Sequence, residues 1–302
     1  MKKKLSIVLA GILFLAGLSL LLYPLVANQW NNYRQSRLIS EYESVVKDES
    51  RKGTINYEKE WERANAYNQS LLPSILPDSF AIAAASDKPG EEYMSCLNIL
   101  TDEMMGYVEV PKINIKLAIY HGTAEDVLQT GIGHMNGTSL PIGGESTHSV
   151  LAAHRGLPAA RLFTDIDQLK QGDMFYIHVL DETMAYQVDQ ILDMVDKDDH
   201  ETLEEALQIQ EGEDQVTLFT CTPYGVNSHR LLVRGTRVPY NGEEEVESTP
   251  VDSMLRAIQN YYMLYLILGL AVTLLVILIM KFLFDRKNKK RSGKTDDMSK
   301  EG

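Results

Sequence analysis

Residues 214–237, DQVTLFTCTPYGVNSHRLLVRGTR, decide the fold that we predict for this chain. The apolar and β-branched run 216–220 is typical of a strand, and it ends on Cys221. Turn-forming residues follow at 223–228, and a second strand is predicted over 231–234. The pattern therefore indicates a strand, loop and strand with a cysteine at the end of the first strand.

Cys221 is a candidate nucleophile. A thiol at the edge of a sheet can meet a substrate, and it needs a nearby base or cation to hold it as thiolate. Arg230 follows nine residues later, and the hairpin can bring it back beside Cys221. The candidate base is His154, which ends another short apolar run, 150–153. Catalytic Cys and His are commonly adjacent in space rather than in sequence, so the two strands can lie side by side.

Several segments resemble the class C sortases, which assemble pili. Thr217 to Cys221, TLFTC, resembles the Thr-Leu-X-Thr-Cys signature of sortases, and His154 and Arg230 match their histidine and arginine. The resemblance runs from about residue 105 to 239 and includes all three candidate catalytic positions. Its longest segments are GYVEVPKINIKLAIYHGT (106–123), GHMNGTSLPIGGESTHSVLAAHRGLP (133–158) and TCTPYGVNSHRLLVRGTR (220–237).

The resemblance implies a mainly β fold, an eight-stranded sortase β-barrel with added N-terminal helices. It also implies a cysteine transpeptidase that cleaves an LPXTG-like sorting signal between Thr and Gly and joins pilin subunits through lysine isopeptide bonds. Cys221 would form a thioacyl enzyme, and His154 would act first as general acid and then as general base. Arg230 would stabilise the oxyanion, with His229 and Arg234 as rivals for that role.

Three alternatives to pilus assembly stay open. A housekeeping sortase would join proteins to cell-wall peptide amines, and a membrane cysteine peptidase would release its product to water. A non-catalytic barrel would only dock pilins, although such a protein has no need of the three candidate catalytic residues. Products formed with added amines distinguish the first two alternatives from pilin polymerisation.

Two hydrophobic stretches frame the chain. Residues 5–27 follow three lysines and carry no charge, and a helix of that length spans roughly 34 Å, enough for a bilayer core. Residues 261–284 are apolar until Lys281, and a basic cluster follows. The positive-inside rule then places both termini in the cytoplasm and the catalytic domain outside the cell membrane. The alternatives are a cleaved signal peptide for the first stretch and a buried helix for the second.

The exported region is strongly acidic. Residues 28–260 hold 38 Asp plus Glu against 18 Lys plus Arg. No basic stripe suggests a nucleic-acid partner. The acidic surface favours solubility and agrees with a lysine nucleophile.

Only two cysteines are present, Cys96 and Cys221. In an oxidising compartment a disulfide between them is the structural alternative to two free thiols. The sortase-like setting of Cys221 favours a working thiol, with Cys96 as a buried apolar filler. We expect no cofactor and no metal, because the spacing of His121, His134 and His148 matches no ligand pattern.

The class C resemblance also implies a lid over the active site, held by an Asp-Pro-aromatic motif. This chain has Asp78-Ser79-Phe80 instead, so Asp78 and Phe80 are the lid candidates, without the stiffening proline. The predicted domain order is anchor or signal (1–27), membrane-proximal helices (28–72), lid-like loop (73–103), catalytic barrel (104–240), acidic linker (241–260), transmembrane helix (261–284) and basic cytoplasmic tail (285–302).

Overall fold

The structure is a computed structural model, and it describes residues 2–53, 55–71, 90–100 and 104–242 and the isolated helical positions 270, 274, 277 and 281. The described residues up to 242 belong to one compact unit, Met1–Val246. A second unit, Glu247–Gly302, contributes only the four isolated positions.

Eight strands close into a barrel. Going round it, the order is β1-β2-β3-β4-β7-β8-β6-β5, and β5 pairs back with β1. Neighbouring strands are antiparallel except for the pairs β2–β3 and β4–β7, which are parallel. The strands are β1 (Met104–Val110), β2 (Ile115–His121), β3 (Ile132–His134), β4 (Thr147–Ala152), β5 (Met174–Val179), β6 (Glu182–Asp196), β7 (Asp214–Thr222) and β8 (His229–Val238). The predicted eight-stranded barrel is confirmed.

Five α-helices accompany the barrel in the described residues. They are α1 (Lys2–Lys52), α2 (Tyr57–Ser70), α3 (Glu91–Ser95), α4 (Glu125–Leu128) and α5 (His200–Leu207). The break between α1 and α2 falls at Gly53, where φ is +66° and glycine is favoured. Asn56 then begins α2, because its side chain accepts a hydrogen bond from the backbone N–H of Lys59 at 3.0 Å.

Helix α1 is held against the barrel by buried polar side chains. Gln35 accepts a hydrogen bond from the backbone N–H of Ala118 on β2 at 2.9 Å. The Tyr42 hydroxyl donates to the carbonyl of Met105 at 3.0 Å and accepts from the N–H of Leu180 at 2.8 Å. These bonds satisfy backbone groups at the edges of strands, so the helix covers the barrel surface without leaving them unpaired.

Side-chain alternation gives the barrel wall two apolar faces. Val216 and Leu218 of β7 point into the interior core, whereas Phe219 points outward. The outward residues form a second layer beneath α5, which we call the outer cluster. Its members are Leu128, Met135, Val150, Ala152, Leu203, Leu207, Phe219 and Leu232. This layer matters for function because the candidate site continues along the same face.

The glycine-rich stretch 131–146 contains a strand that the sequence did not indicate. Gly133 of β3 lies so close to β2 that a Cβ atom there would meet the carbonyl oxygen of Gly122 at 2.3 Å. A glycine that permits close approach of two strands is indistinguishable by composition from a turn glycine. Strand β3 was therefore not predicted from the sequence.

The end of the predicted surface loop 73–103 is also different. Residues 90–100 contain α3, and Tyr93, Cys96 and Leu97 are buried in the interior core. The Tyr93 hydroxyl accepts a hydrogen bond from the N–H of Gly122 at 2.9 Å. This part of the loop is therefore packed against the barrel.

The two predicted membrane spans receive no support from the described residues. Residues 5–27 lie within α1, but none of the helices described is both long enough and apolar enough to cross a bilayer. Residues 261–284 lie outside the described part of the chain except at the four isolated helical positions.

Candidate active site

Cys221 and Arg230 face each other across the β7–β8 hairpin. The antiparallel register pairs them directly, with Thr220 opposite Leu231 on one side and Thr222 opposite His229 on the other. Directly opposed residues on adjacent strands point to the same face of a sheet, with Cβ atoms about 5 Å apart. This register places Arg230 beside Cys221, as the sequence predicted for the hairpin.

His154 lies on the other side of Cys221. Strand β4 runs parallel to β7, with Ala152 level with Phe219, and the N–H of Ala153 donates to the carbonyl of Phe219 at 3.2 Å. The Thr220 hydroxyl donates to the carbonyl of Ala153 at 2.7 Å. These bonds continue the register past the end of β4, so His154 falls level with Cys221.

The three candidate residues therefore form one row across β4, β7 and β8. Ala152, Phe219 and Leu232 each precede or follow a row member by two positions, and all three belong to the outer cluster. Because side chains alternate along a strand, the row lies on the outer face of the barrel. Cys221 is 8% exposed, Arg230 is 5% exposed and the His154 side chain is 20% exposed, so the row is accessible mainly through the imidazole.

Arg155 braces the back of this row. One of its Nη atoms donates to the Thr222 hydroxyl at 2.9 Å, and the other forms a short ion pair with Asp167. The backbone carbonyl of His154 accepts from the N–H of Phe163 at 3.2 Å. The residues that follow His154 and Cys221 are thus tied together, which holds the ends of β4 and β7 at one separation.

Neither rival of Arg230 lies in the row. His229 is opposite Thr222, which points to the other face, and its Nδ1 shares a hydrogen bond with the Ser228 hydroxyl at 2.8 Å. Arg234 is four positions further along β8, where it is ion-paired with Asp189 at 2.6 Å. Arg230 donates to the backbone carbonyls of Asn227 at 3.3 Å and His229 at 3.2 Å, which directs its guanidinium along the loop end of the hairpin.

Cys96 does not form a disulfide with Cys221, since both thiols are free. Its Sγ donates to the carbonyl of Glu92 at 3.3 Å, and burial raises the pKa of the Cys96 thiol. The disulfide alternative is therefore wrong, and Cys96 is part of the interior core.

Two of the buried histidines, His134 and His148, form hydrogen bonds with tyrosine and threonine hydroxyl groups. His134 contacts the Tyr93 hydroxyl through Nδ1 at 2.8 Å, and burial lowers its pKa to about 3. His148 contacts the Thr217 hydroxyl through Nε2 at 2.7 Å, and burial lowers its pKa to about 4. In the described part of the chain, no group of three or more His, Cys, Asp or Glu side chains is arranged to hold a metal ion.

Glu125 lies beside the row, and the sequence did not single it out. Its Oε1 is 3.4 Å from Nε2 of His154. Sequence reasoning missed this contact because it depends on how α4 packs against the barrel, where Leu128 is buried in the outer cluster. The lid candidates Asp78 and Phe80 lie outside the described residues.

The arrangement suits acyl transfer. It places a thiol between an imidazole and a permanently charged guanidinium, which are the groups needed for a nucleophile, a proton carrier and an oxyanion partner. The β4–β7 pairing and the β7–β8 register bring these three groups together.

Comparison with known proteins identifies a family for this architecture. The sortase-domain family model matches residues 108–238. The crystal structure of Streptococcus pneumoniae sortase C, described in connection with catalysis and pilin substrate specificity, is 44% identical with a TM-score of 0.58, and the match covers 69% of this chain and 100% of that one. Sortase C1 from Streptococcus agalactiae is 47% identical with a TM-score of 0.57, over 68% of this chain and 100% of that one.

A curated relative gives a more distant match. Sortase D of Bacillus subtilis is 30% identical over 141 residues, which is 46% of this chain and 66% of that protein. The two solved structures therefore match a larger share of this chain than this relative does.

Proposed function

Because this chain belongs to the class C group of the sortase family, we propose that it is a cysteine transpeptidase that joins pilin subunits at the cell surface. The single observation that carries the proposal is the row formed by His154, just past the end of β4, with Cys221 on β7 and Arg230 on β8. A protein that only docks pilins would not need these three groups side by side.

The first half of the reaction forms a thioester. The Cys221 thiol has its proton on His154, and the Sγ thiolate attacks the threonyl carbonyl carbon of the Thr–Gly bond in an LPXTG-like sorting signal. The carbonyl oxygen becomes an oxyanion beside Arg230. The C–N bond then breaks, and His154 gives its proton to the leaving amine. The threonyl end of the substrate stays on Cys221 as a thioacyl group.

The second half forms the new amide bond. A lysine amine of another pilin subunit attacks the thioester carbonyl, and His154 accepts the proton that the amine loses. The C–S bond breaks and the Cys221 thiolate leaves, so the enzyme returns to its starting state. The product is an isopeptide bond, and no external oxidant or energy source is required.

Two features support pilins as substrates. The S. pneumoniae relative is described in terms of pilin substrate specificity, and it is 44% identical over its entire length. The acidic balance of residues 28–260 would attract the lysine-bearing surface of an acceptor. The LPXTG-like sorting signal is proposed from the class C sortase resemblance.

We also propose that the enzyme is held at the cell membrane with the barrel outside. Residues 5–27 contain no charge and follow three lysines. Along this part of α1 the side chains of Phe14, Leu15 and Val26 are exposed. A row of exposed apolar side chains needs an apolar partner, and a lipid bilayer supplies it.

The full-length chain, in membranes, tests the proposal when it is mixed with a pilin that carries a sorting signal. We expect covalent pilin ladders with the wild type and with Cys96→Ala, and none with Cys221→Ala. Ladders formed by Cys221→Ala would contradict the assignment. Products joined only to a cell-wall-type amine would favour the housekeeping alternative, and a product released only to water would favour a peptidase.

A further inference from the structure

We propose that Glu125 is a positioning residue for His154, because its carboxylate lies 3.4 Å from the imidazole Nε2, next to Gln129 and on a helix whose Leu128 is buried in the outer cluster. This inference rests on the proposed function of His154 as proton carrier. It adds a fourth side chain, from an element outside the catalytic strands, to the three that form the row.

The docking of α4 fixes the distance between Glu125 and His154. Leu128, at the end of the helix, is buried in the outer cluster together with Val150 and Ala152 of β4. Ala152 lies two residues before His154, on the same face of the barrel. The helix and the histidine are therefore positioned by one apolar surface.

The Glu125 carboxylate is held by Gln129, one helical turn later in the sequence. The Gln129 side-chain amide donates to Oε1 of Glu125 at 2.9 Å, and this same oxygen faces Nε2 of His154. Glu125 is 68% exposed, so a bond of this kind is needed to keep its long side chain in one place. The order of contacts is Gln129 to Glu125 to His154.

The charge of Glu125 has a direct consequence for proton transfer. His154 is positively charged whenever it holds the proton that it gives to the leaving amine or takes from the incoming one. A carboxylate beside an imidazole stabilises that charge and keeps the ring in one orientation, as the aspartate does in serine protease triads. Because the pair is partly open to solvent, the expected gain is modest, about fivefold in rate.

Asp126 provides a matched control. It neighbours Glu125 in the first turn of α4 and is also exposed, but its carboxylate accepts a hydrogen bond from the N–H of Val127 at 3.0 Å. If acids in this turn served only to stabilise the helix, substitutions at the two positions would have similar effects. A positioning role predicts an effect at Glu125 alone.

The test compares Glu125→Gln, Asp126→Asn and Gln129→Leu in the full-length protein. The readouts are the rate at which a sorting peptide acylates Cys221 in a single turnover, the kcat and KM of transfer to an amine, and the melting temperature. We expect Glu125→Gln to lower the acylation rate and kcat about fivefold with KM and melting temperature unchanged. Gln129→Leu should have the same effect but to a smaller extent, and Asp126→Asn should match the wild type.

Two results would overturn this inference. One is a Glu125→Gln enzyme with wild-type acylation rate and kcat. The other is a loss of rate that Asp126→Asn reproduces, or that follows a fall in melting temperature. Both are distinct from failure of the proposed function, which would appear as an acyl adduct that survives Cys221→Ala.

Discussion

Cys221 on β7 and Arg230 on β8 are directly opposed in an antiparallel pair, so the thiol and the guanidinium share the outer face of the barrel. Moving either residue by one position would turn its side chain into the interior, where Thr220 and Leu231 lie. The register of one hairpin therefore determines whether this chain has an oxyanion partner beside its nucleophile.

Arg230→Lys is expected to lower kcat about 100-fold, because lysine offers a single compact ammonium where arginine offers a planar set of donors. Turnover of a sorting peptide measures the effect, with circular dichroism to verify the fold. Arg234→Lys is the control, since Arg234 is ion-paired with Asp189 further along the strand. Equal losses from the two substitutions would contradict the role of Arg230.

Thr222→Val is expected to lower both stability and activity. It removes the hydroxyl that accepts from Arg155 at 2.9 Å, and an unsatisfied charged donor costs about 1–3 kcal/mol in unfolding free energy. Because Arg155 follows His154 and Thr222 follows Cys221, kcat should also fall. Urea unfolding and peptide turnover measure the two effects.

Thr236→Val, at the far end of β8, provides the comparison for Thr222→Val. This substitution should leave kcat unchanged. An unchanged kcat in Thr222→Val as well would mean that the Arg155 brace does not position the site.

The two cysteines should differ sharply in alkylation. Cys96 is 1% exposed, belongs to the interior core, and has a thiol pKa that burial raises. Since the thiolate is the reactive form, iodoacetamide should modify Cys221 and leave native Cys96 unmodified. Cys96→Ala should therefore be labelled like the wild type and Cys221→Ala should not be labelled, as mass spectrometry would show. Labelling of Cys96 in the native protein would contradict its burial in the interior core.

Stability should decrease in mild acid. Burial lowers the pKa of His134 to about 3 and of His148 to about 4, from an ordinary value of 6.5. Between pH 6.5 and about 4 the unfolded chain binds these protons and the folded chain does not. The unfolding free energy therefore decreases as the pH is lowered through this range, by up to about 1.4 kcal/mol per pH unit for each histidine.

His148→Gln tests this pH dependence. The substitution removes the proton that His148 takes up on unfolding, so the slope of unfolding free energy against pH should be shallower than in the wild type. Urea unfolding at several pH values between 5 and 7 measures both slopes. Identical slopes would show that His148 does not contribute.

The strands were predictable where side chains alternate strongly or form continuous apolar runs. The run 216–220 and the hairpin after it predicted β7 and β8, and the observed strands extend two or more residues beyond those limits. Strand β3 was missed because Gly133 serves close strand packing rather than a turn. Composition cannot separate these two uses of glycine.

The site was predictable only in part. Cys221 and His154 each end an apolar run, so their pairing could be inferred from the expectation that the two runs form adjacent strands. Glu125 could not be inferred, since its position depends on the burial of Leu128 in the outer cluster. The hydrogen bond from Arg155 to Thr222 could not be inferred either, because it joins residues that are 67 positions apart in the sequence.

Mass spectrometry of the full-length protein after exposure to a sorting peptide tests the central claim most directly. The account predicts an added mass equal to the peptide's acyl portion, located on Cys221, absent from Cys221→Ala and discharged by an amine. An intact protein without any adduct, or an adduct on another residue, would contradict it.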